Sequence, residues 1–344
     1  MGEAMSGACL RCARPIVLLV ALLPFLLGSF ATLGAQPATV TVYSGRNQEL
    51  VGPLLERFAQ ASGVRLRVRY GETAELAATI MEEGANSPAD VYFAQDAGAL
   101  GALAYAGRLQ RLPEGLLQKV EPRFRSGEGL WVGISGRARV VAYNTRRLSP
   151  RDLPASIRDF TDPRWRGRMG WAPTNGSFQA HVTAMRLLWG NERTRAWLLG
   201  MRANAPRAYR NNTAIVAALG AGEIDVGFVN HYYLFRFLQE RGEGFPVRNY
   251  FFPGPDAGNL INVAGVGVID TARSAAALRL VEFLLSPQAQ RYFATETFEY
   301  PLVAGIPAHP LLRPLAQIST PPVDLNHLQA LEETLRLLRE AGIL

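Results

Sequence analysis

Residues 39–70 decide the fold, and they read TVTVYSGRNQELVGPLLERFAQASGVRLRVRY. Apolar and polar residues alternate over 39–43 and again over 64–70, which predicts two strands. Between them, residues 49–61 place three leucines and a phenylalanine on one stripe of a helix. A strand, a helix and a second strand in this order are typical of a parallel sheet that is covered by helices.

The alternation of strands and helices continues along the rest of the chain. The further predicted strands span residues 89–93, 140–143, 168–171, 223–229 and 263–269. The further predicted helices span residues 75–84, 97–106, 178–189, 232–241, 275–285, 287–295 and 325–341. Ligands bind to such sheets beyond the carboxyl ends of the strands, and this rule marks the loops 44–48, 94–96, 173–177 and 230–233.

The strand and helix pattern starts again near residue 140, with no internal repeat and no low-complexity linker. We therefore predict an α/β fold of two lobes, with hinge crossovers and a ligand cleft between the lobes. The N-lobe is expected to contain residues 36–137 plus about 263–313. The C-lobe is expected to contain residues 138–262 plus about 314–344.

Residues 1–35 have the pattern of a cleaved signal peptide for export. Arg11 and Arg14 precede an apolar run over residues 16–30, and small residues follow up to Ala35. The run is shorter than the roughly 20 residues that span a bilayer, and it contains Pro24, which disfavours a retained membrane anchor. We therefore expect a protein that is free in the periplasm.

Cysteine and charge content exclude several classes of function. Cys9 and Cys12 both lie in the leader, so the mature chain has no disulfide and no thiol nucleophile. The net charge of +7 comes without a basic run interleaved with aromatic residues, which argues against nucleic-acid binding. We find no nucleophile elbow, catalytic triad or nucleotide phosphate loop, and we predict that the protein is not an enzyme.

Two adjacent tyrosines stand where a predicted strand ends and a helix begins, in Asn230-His231-Tyr232-Tyr233. Phenolates are hard anionic oxygen donors that suit a hard cation such as Fe(III), and a bound cation stabilises their deprotonated form. Taken alone, such a pair is more typical of aromatic packing at a lobe interface than of a metal site. His231 is expected to face away from the pair and to have a structural role.

Seven stretches of the chain together resemble the periplasmic ferric-ion-binding proteins, or bacterial transferrins, of the extracellular solute-binding family. They are VTVYSG at 40–45, SPADV at 87–91, SGRARVV at 135–141, PTNGSF at 173–178, GEID at 222–225, NHYY at 230–233 and EYP at 299–301. The resemblance covers essentially the whole mature chain, and the double tyrosine together with the Ser-Gly-Arg segment is specific to the iron branch. It implies the periplasmic-binding-protein fold, with Tyr232 and Tyr233 as ligands of Fe(III).

The resemblance also implies a synergistic anion, which is carbonate or bicarbonate, or else phosphate. The residues that match the anion-binding positions of the family are Arg137, Asn175, Gly176, Ser177, Asn212 and Asn230. Residues 173–177 lead into a predicted helix, whose first backbone N–H groups suit an anion. The fixed charge and planar fork of Arg137 suit the same ligand.

The chain departs from the family at three ligand positions. Asn47 stands in place of a histidine, Gln95 in place of a glutamate, and Phe178 in place of the tyrosine of another subgroup. We expect Asn47, Gln95 and Asp96 to lie around the metal without binding it, and Asp96 as a carboxylate ligand is the alternative. With two protein ligands, an exogenous anion must complete the coordination shell, and carbonate or bicarbonate is favoured over phosphate.

The sequence therefore predicts the substrate-binding component of an Fe(III) ABC importer, a monomer that delivers iron to an inner-membrane permease. The alternative is the same fold with another small solute, such as an oxyanion, a phosphonate, a polyamine or thiamine. A cationic solute would require acidic residues in the marked loops, which are rich in amides and arginine instead. An anion alone would fit these loops but would leave the two tyrosines without a role.

Overall fold

The structure, a computed structural model, describes residues 38–344. The predicted signal peptide and its cleavage site lie outside the described residues. Within 38–344, none of the helices combines the length and the apolar character that crossing a membrane requires.

The described residues form ten β-strands and eleven α-helices. The strands are β1 (Thr39–Ser44), β2 (Arg65–Tyr70), β3 (Val91–Ala94), β4 (Val132–Asn144), β5 (Met169–Trp171), β6 (Arg207–Ala208), β7 (Val226–Asn230), β8 (Val247–Tyr250), β9 (Ile261–Val268) and β10 (Tyr300–Pro301). The helices are α1 (Gln48–Ser62), α2 (Thr73–Glu83), α3 (Ala97–Tyr105), α4 (Glu114–Leu117), α5 (Gly176–Trp189), α6 (Asn191–Ala203), α7 (Asn212–Ala221), α8 (Tyr233–Arg241), α9 (Ala276–Leu284), α10 (Pro287–Thr295) and α11 (Leu331–Glu340).

The first strand–helix–strand unit forms as predicted from its local signals. Asn47 caps α1, because its side-chain oxygen accepts a hydrogen bond from the backbone N–H of Glu49 at 2.8 Å. The helix ends at Gly63, whose φ of +68° is a left-handed conformation that glycine adopts without strain. The stripe between these ends, which includes Leu54 and Phe58, is buried against the sheet.

The sheet is mixed, whereas the sequence pattern indicated a parallel sheet. Strands β2, β1 and β3 are parallel, and so are β7, β5 and β6, in the order β2-β1-β3-β9-β4-β7-β5-β6. Strand β9 runs antiparallel to both β3 and β4, and β4 runs antiparallel to β7. Local periodicity reports which segments are strands, but the direction of β4 and β9 depends on long connections that carry no such signal.

Strand β4 joins the two halves of the sheet. Its residues 132–138 pair with β9, and its residues 139–143 pair with β7. All thirteen residues of β4 are buried, although only 140–143 were predicted as strand. A Cβ at Gly133 would lie 2.6 Å from the Phe124 carbonyl oxygen, so close packing requires a glycine that interrupts the apolar pattern.

The buried apolar side chains form two clusters, and the second of them lies wholly within residues 141–341. It contains Trp165, Trp171 and Phe178 together with Leu337 and Leu338 from α11. The C-terminal helix therefore packs with the half of the sheet that holds β5 and β7. The exact lobe boundaries stay a prediction.

The C-terminal segment differs from the single predicted helix over 325–341. Residues Leu325–Gln329 form a 3₁₀ helix, and α11 begins after a break at Ala330. The 3₁₀ segment packs on α3, where a Cβ at Gly98 would lie 2.7 Å from the Leu328 carbonyl oxygen. Helix α11 packs on α5 and α6. The helix is thus interrupted where the packing of the segment changes from mainly α3 to mainly α5.

Candidate metal centre

The tyrosine pair lies at the end of β7, in the turn that starts α8. The rings of Tyr232 and Tyr233 are stacked, with centroids 4.3 Å apart and planes inclined by 28°. Both side chains are buried, with exposed fractions of 1% and 7%. Burial raises the pKa of the Tyr233 phenol well above its usual value, and the neighbouring Tyr232 phenol adds to this shift. The two phenols therefore lie side by side, shielded from solvent.

The hydroxyl of Tyr232 is buried and has no hydrogen-bond partner within residues 38–344. Buried polar atoms are nearly always bonded, and an unbonded one costs free energy. A cation bound between the two phenols would replace the hydroxyl hydrogen and remove that cost. The orphaned oxygen thus fits a hard metal ion that binds to this pair.

Three buried arginines surround the tyrosines, and one of them is paired. Arg46 forms a salt bridge with Glu299, and both side chains are fully enclosed. Burial by itself lowers the pKa of Arg46, but the Glu299 carboxylate and the nearby tyrosines outweigh burial and hold the pKa above its usual value. Ser135 donates a second hydrogen bond to the Glu299 carboxylate.

The other two arginines, Arg137 and Arg139, form no salt bridge with any described residue. Burial and the neighbouring Arg137 lower the pKa of Arg139 to about 9. Arg139 makes one side-chain hydrogen bond, from Nη1 to Asn230 Oδ1 at 3.2 Å, while its Nε and Nη2 are buried without partners. Because an uncompensated buried cation is unfavourable, the positions of Arg137 and Arg139 favour binding of an anion beside them.

Three donors converge on the hydroxyl oxygen of Ser177. Gln95 Nε2 approaches at 2.8 Å, Asn230 Nδ2 at 3.1 Å and Arg137 Nη1 at 3.2 Å. A serine oxygen has two lone pairs and cannot satisfy three donors at once. Carbonate or phosphate oxygens have more acceptor capacity, so this convergence fits an anion next to the tyrosine pair.

Three asparagines stabilise the loop 173–177, which leads into α5. Asn175 Oδ1 accepts hydrogen bonds from the Ser177 backbone N–H at 3.2 Å and from Asn212 Nδ2 at 3.3 Å. Asn212 Oδ1 accepts from the backbone N–H of Asn230 at 2.9 Å. Asn175 is therefore the N-cap of α5, and its oxygen is directed towards the protein. The structure thus brings five of the six predicted anion-binding residues into one hydrogen-bond network, and Gly176 lies between two of them in sequence.

The three residues that replace or adjoin family ligands have separate positions. Asn47 is exposed and caps α1, whereas Gln95 donates a hydrogen bond from Nε2 to the Ser177 hydroxyl oxygen. Asp96 caps α3, because Oδ1 accepts from the backbone N–H groups of Gly98 and Ala99 at 3.1 and 3.3 Å. Burial raises the pKa of Asp96, and Arg137 and these hydrogen bonds oppose that shift. One carboxylate oxygen of Asp96 is thus occupied by hydrogen bonds to the first turn of α3.

We did not select Arg46, Arg139 and Glu299 from the sequence. A signal was present for Arg139, which follows Arg137 by two residues and so faces the same side of β4. Arg46 lies in the marked loop 44–48, where a charged side chain at a strand end is a reasonable candidate. Glu299 stands in the quoted stretch EYP, but this stretch does not indicate its role, which depends on contact with residues more than 160 positions away.

Metal sites of other chemistry are not formed in the described part of the chain. No three His, Cys, Asp or Glu residues come together there. His181 is buried, and its Nε2 donates to the Ala257 carbonyl oxygen at 2.7 Å. This contact gives His181 a structural role.

His181 gives a prediction for the pH dependence of stability. Burial and the nearby Arg139 lower its pKa to about 3 in the folded protein, against a usual value of 6.5. Below pH 6.5 the unfolded chain takes up a proton that the folded chain does not, so the free energy of unfolding falls by about 1.4 kcal/mol per pH unit from this group. Urea unfolding of the iron-free protein between pH 7.5 and pH 5 measures this slope. The variant His181→Gln should have a shallower slope, and an unchanged slope would contradict the assignment.

Comparison with known proteins shows similarity over most of the chain. Residues 74–319 match the family model described as bacterial extracellular solute-binding protein. The chain is 33% identical over 315 residues to the major ferric iron-binding protein of Neisseria meningitidis, covering 89% of this chain and 93% of that protein. It is 32% identical over 318 residues to the Fe(3+)-binding periplasmic protein of Serratia marcescens, covering 90% and 94%. The crystal structure of iron-bound HitA from Pseudomonas aeruginosa superposes with a TM-score of 0.85 at 36% identity, covering 89% of this chain and 100% of that one.

Proposed function

The chain belongs to the family of bacterial extracellular solute-binding proteins, and from this we propose that it is the periplasmic substrate-binding component of an Fe(III) importer. The relatives named above are ferric-iron-binding proteins, and one of them is periplasmic by name. The protein binds and transports its cargo and is not an enzyme. Its partner is an inner-membrane ABC permease, to which it delivers iron as a monomer.

One observation carries the assignment to iron, namely the stacked Tyr232–Tyr233 pair with its orphaned hydroxyl. Aromatic packing alone would leave both hydroxyls at the surface or bonded to protein. Here one hydroxyl is buried without a partner among residues 38–344, beside a cluster of hydrogen-bond donors that suits a bridging anion. Two phenolates supply hard anionic oxygens, the donor type that Fe(III) prefers.

The charges of the site support a synergistic anion. Fe(III) bound to two phenolates keeps one positive charge, and Arg137 and Arg139 add guanidinium charges without salt-bridge partners. Carbonate or bicarbonate, or else phosphate, would reduce this excess of positive charge and supply the oxygen ligands that Asn47 and Gln95 cannot. The anion would accept hydrogen bonds from the donors that now converge on Ser177.

Two contacts support a link between binding and closure of the predicted lobes. Gln95 follows β3 and Ser177 lies in α5, and their hydrogen bond of 2.8 Å joins loops from the two predicted lobes. Arg236 and Glu49 approach to 3.4 Å across the same gap. An anion and a metal ion between these loops would strengthen the closed arrangement, because each binds groups from both sides.

The alternative cargo is a small oxyanion or phosphonate without iron, which the unpaired arginines would favour. A polyamine or thiamine is disfavoured, since the buried carboxylates of Glu299 and Asp96 are already bonded to Arg46 and to the start of α3. An oxyanion alone could accept a hydrogen bond from the Tyr232 hydroxyl, but it would not use two adjacent phenols as anionic ligands. The two cargoes are therefore separable by experiment.

The test is an iron titration of metal-free protein in three buffers, containing bicarbonate, phosphate or neither. We expect a visible phenolate-to-iron absorption band, and affinity at least about tenfold weaker when both anions are excluded. A protein that stays colourless with Fe(III) and bicarbonate, yet binds phosphate or a phosphonate in calorimetry, would establish the alternative. Equal iron affinity in all three buffers would contradict the proposed synergistic anion. It would not contradict iron binding by the two tyrosines.

A further inference from the structure

His231 is fully buried, and both of its ring nitrogens are bonded to the backbone. Nδ1 accepts a hydrogen bond from the Ala138 N–H at 3.0 Å, and Nε2 lies 2.8 Å from the Phe298 carbonyl oxygen. A backbone N–H can only donate, so Nδ1 carries no hydrogen and Nε2 donates to the carbonyl. The imidazole is therefore fixed as one neutral tautomer by two contacts from different parts of the chain.

The two partners of His231 lie on β4, which joins the halves of the sheet, and in the turn that precedes β10. Ala138 is the residue of β4 at which pairing passes from β9 to β7. Phe298 directly precedes Glu299, whose carboxylate binds Arg46 and Ser135. One imidazole thus contacts the crossing strand and the turn that holds the buried ion pair.

The Phe298 turn is strained. Phe298 has a φ of +55°, in the left-handed region that is unfavourable for a residue with a Cβ. Its side chain is buried and stacks on Phe235 of α8, with ring centroids 5.1 Å apart and planes inclined by 16°. Such a conformation persists only when surrounding contacts hold it. Here the contacts include the His231 hydrogen bond and the Phe235 ring, and the ring of His309 also packs on Phe298 with centroids 4.6 Å apart.

These two residues bracket the tyrosine pair in sequence. His231 precedes Tyr232, and Phe235 lies two residues after Tyr233 in the first turn of α8. The His231 ring also stacks on Tyr300, with centroids 4.8 Å apart. The segment that presents both phenols is therefore clamped onto the turn at 298–300 from both ends.

We propose that His231 is a positioning residue, which fixes Tyr232 and Tyr233 relative to the Arg46–Glu299 pair and to the crossing strand β4. The inference rests on the proposed function, because it concerns the geometry of the same tyrosine site. Without the imidazole, the Ala138 N–H and the Phe298 carbonyl lose their partners. The strained turn then relaxes, and the phenols no longer converge on one ion.

The test compares His231→Phe with Tyr300→Phe. The first variant keeps an aromatic ring against Tyr300 and removes both hydrogen bonds. The second removes the hydroxyl that donates to the Arg313 carbonyl oxygen at 2.7 Å, so it loses one partly buried hydrogen bond and keeps the ring that stacks on His231. Each protein is loaded with Fe(III) and bicarbonate, and three quantities are measured: the visible band, the rate of iron loss to a competing chelator, and the unfolding midpoint without iron.

We expect His231→Phe to lose iron at least about tenfold faster and to shift the phenolate-to-iron band, while Tyr300→Phe keeps the wild-type band and rate. His231→Gln, which can restore one of the two hydrogen bonds, should recover part of the affinity, and it also serves if the phenylalanine variant does not fold. A wild-type band and rate in a folded His231→Phe protein would overturn the proposal. Equal losses in both variants would overturn it as well. A wild-type protein without any band would instead refute iron binding itself.

Discussion

Replacing either Tyr232 or Tyr233 by phenylalanine is expected to abolish tight Fe(III) binding while the protein stays folded. Phenylalanine keeps the stacked ring and its burial, and it removes only the oxygen. Loss of one phenolate leaves a single anionic protein ligand for a trivalent ion. The affinity should therefore fall by more than the about 100-fold that loss of an outer-sphere partner costs. The visible band of the iron-loaded protein should disappear with it.

The measurement is a titration of each metal-free variant with Fe(III) and bicarbonate, followed by absorbance. Tyr250→Phe is a suitable control, since its hydroxyl donates to the Pro154 carbonyl oxygen at 3.0 Å and is not part of the site. The control should bind iron as the wild type does. Two folded tyrosine variants that keep colour and affinity would exclude these phenols as ligands.

Replacing Glu299 by glutamine is expected to lower the free energy of unfolding of the iron-free protein by about 3–5 kcal/mol. The change removes the charge that neutralises Arg46, and both side chains are excluded from solvent. The neutral amide keeps the size of the side chain and can still accept a hydrogen bond from Ser135. The loss therefore reports the uncompensated guanidinium and not a cavity.

Glu121→Gln is the matched control for this measurement. Glu121 pairs with Arg123 at 2.9 Å, but both side chains are more than half exposed, at 62% and 54%. Exposed pairs contribute roughly 0–1 kcal/mol, so this variant should unfold close to the wild type in urea. If the Glu299 variant also changes by less than about 1 kcal/mol, then Arg46 must find another partner or reach solvent.

The sequence was sufficient to predict the elements that have strong local patterns. The helix over 287–295 was predicted with the bounds that the structure has, because Pro287 marks its start and its apolar positions recur at helical spacing. Strand β4 was largely missed. Its first half contains Gly133, Gly136 and Arg137, which break the apolar pattern although every residue there is buried. Strand β4 is buried because it lies between two halves of the sheet. The residues near it in sequence do not indicate this position.

The residues of the candidate site also fall into two groups, those that a local sequence pattern indicates and those that only the fold brings together. Tyr232, Tyr233 and Ser177 lie at strand ends or helix starts, where the position along the chain already suggests a ligand. Arg46 and Glu299 become a pair only through contact over 253 positions of sequence, and this contact appears only in the folded structure. The role of Asn175 as a helix cap was likewise visible only once its oxygen was placed.

Strand β4 also has a consequence for how the protein unfolds. The two lobes share this strand, since one part of it pairs with β9 and the next part with β7. Loss of the hydrogen bonds along β4 in one half frees a strand segment that continues directly into the paired residues of the other half. A chain with two lobes could melt in two steps, but this connection couples the lobes into one cooperative unit. A single calorimetric transition, in which the van't Hoff and calorimetric enthalpies agree, is the signature of that coupling.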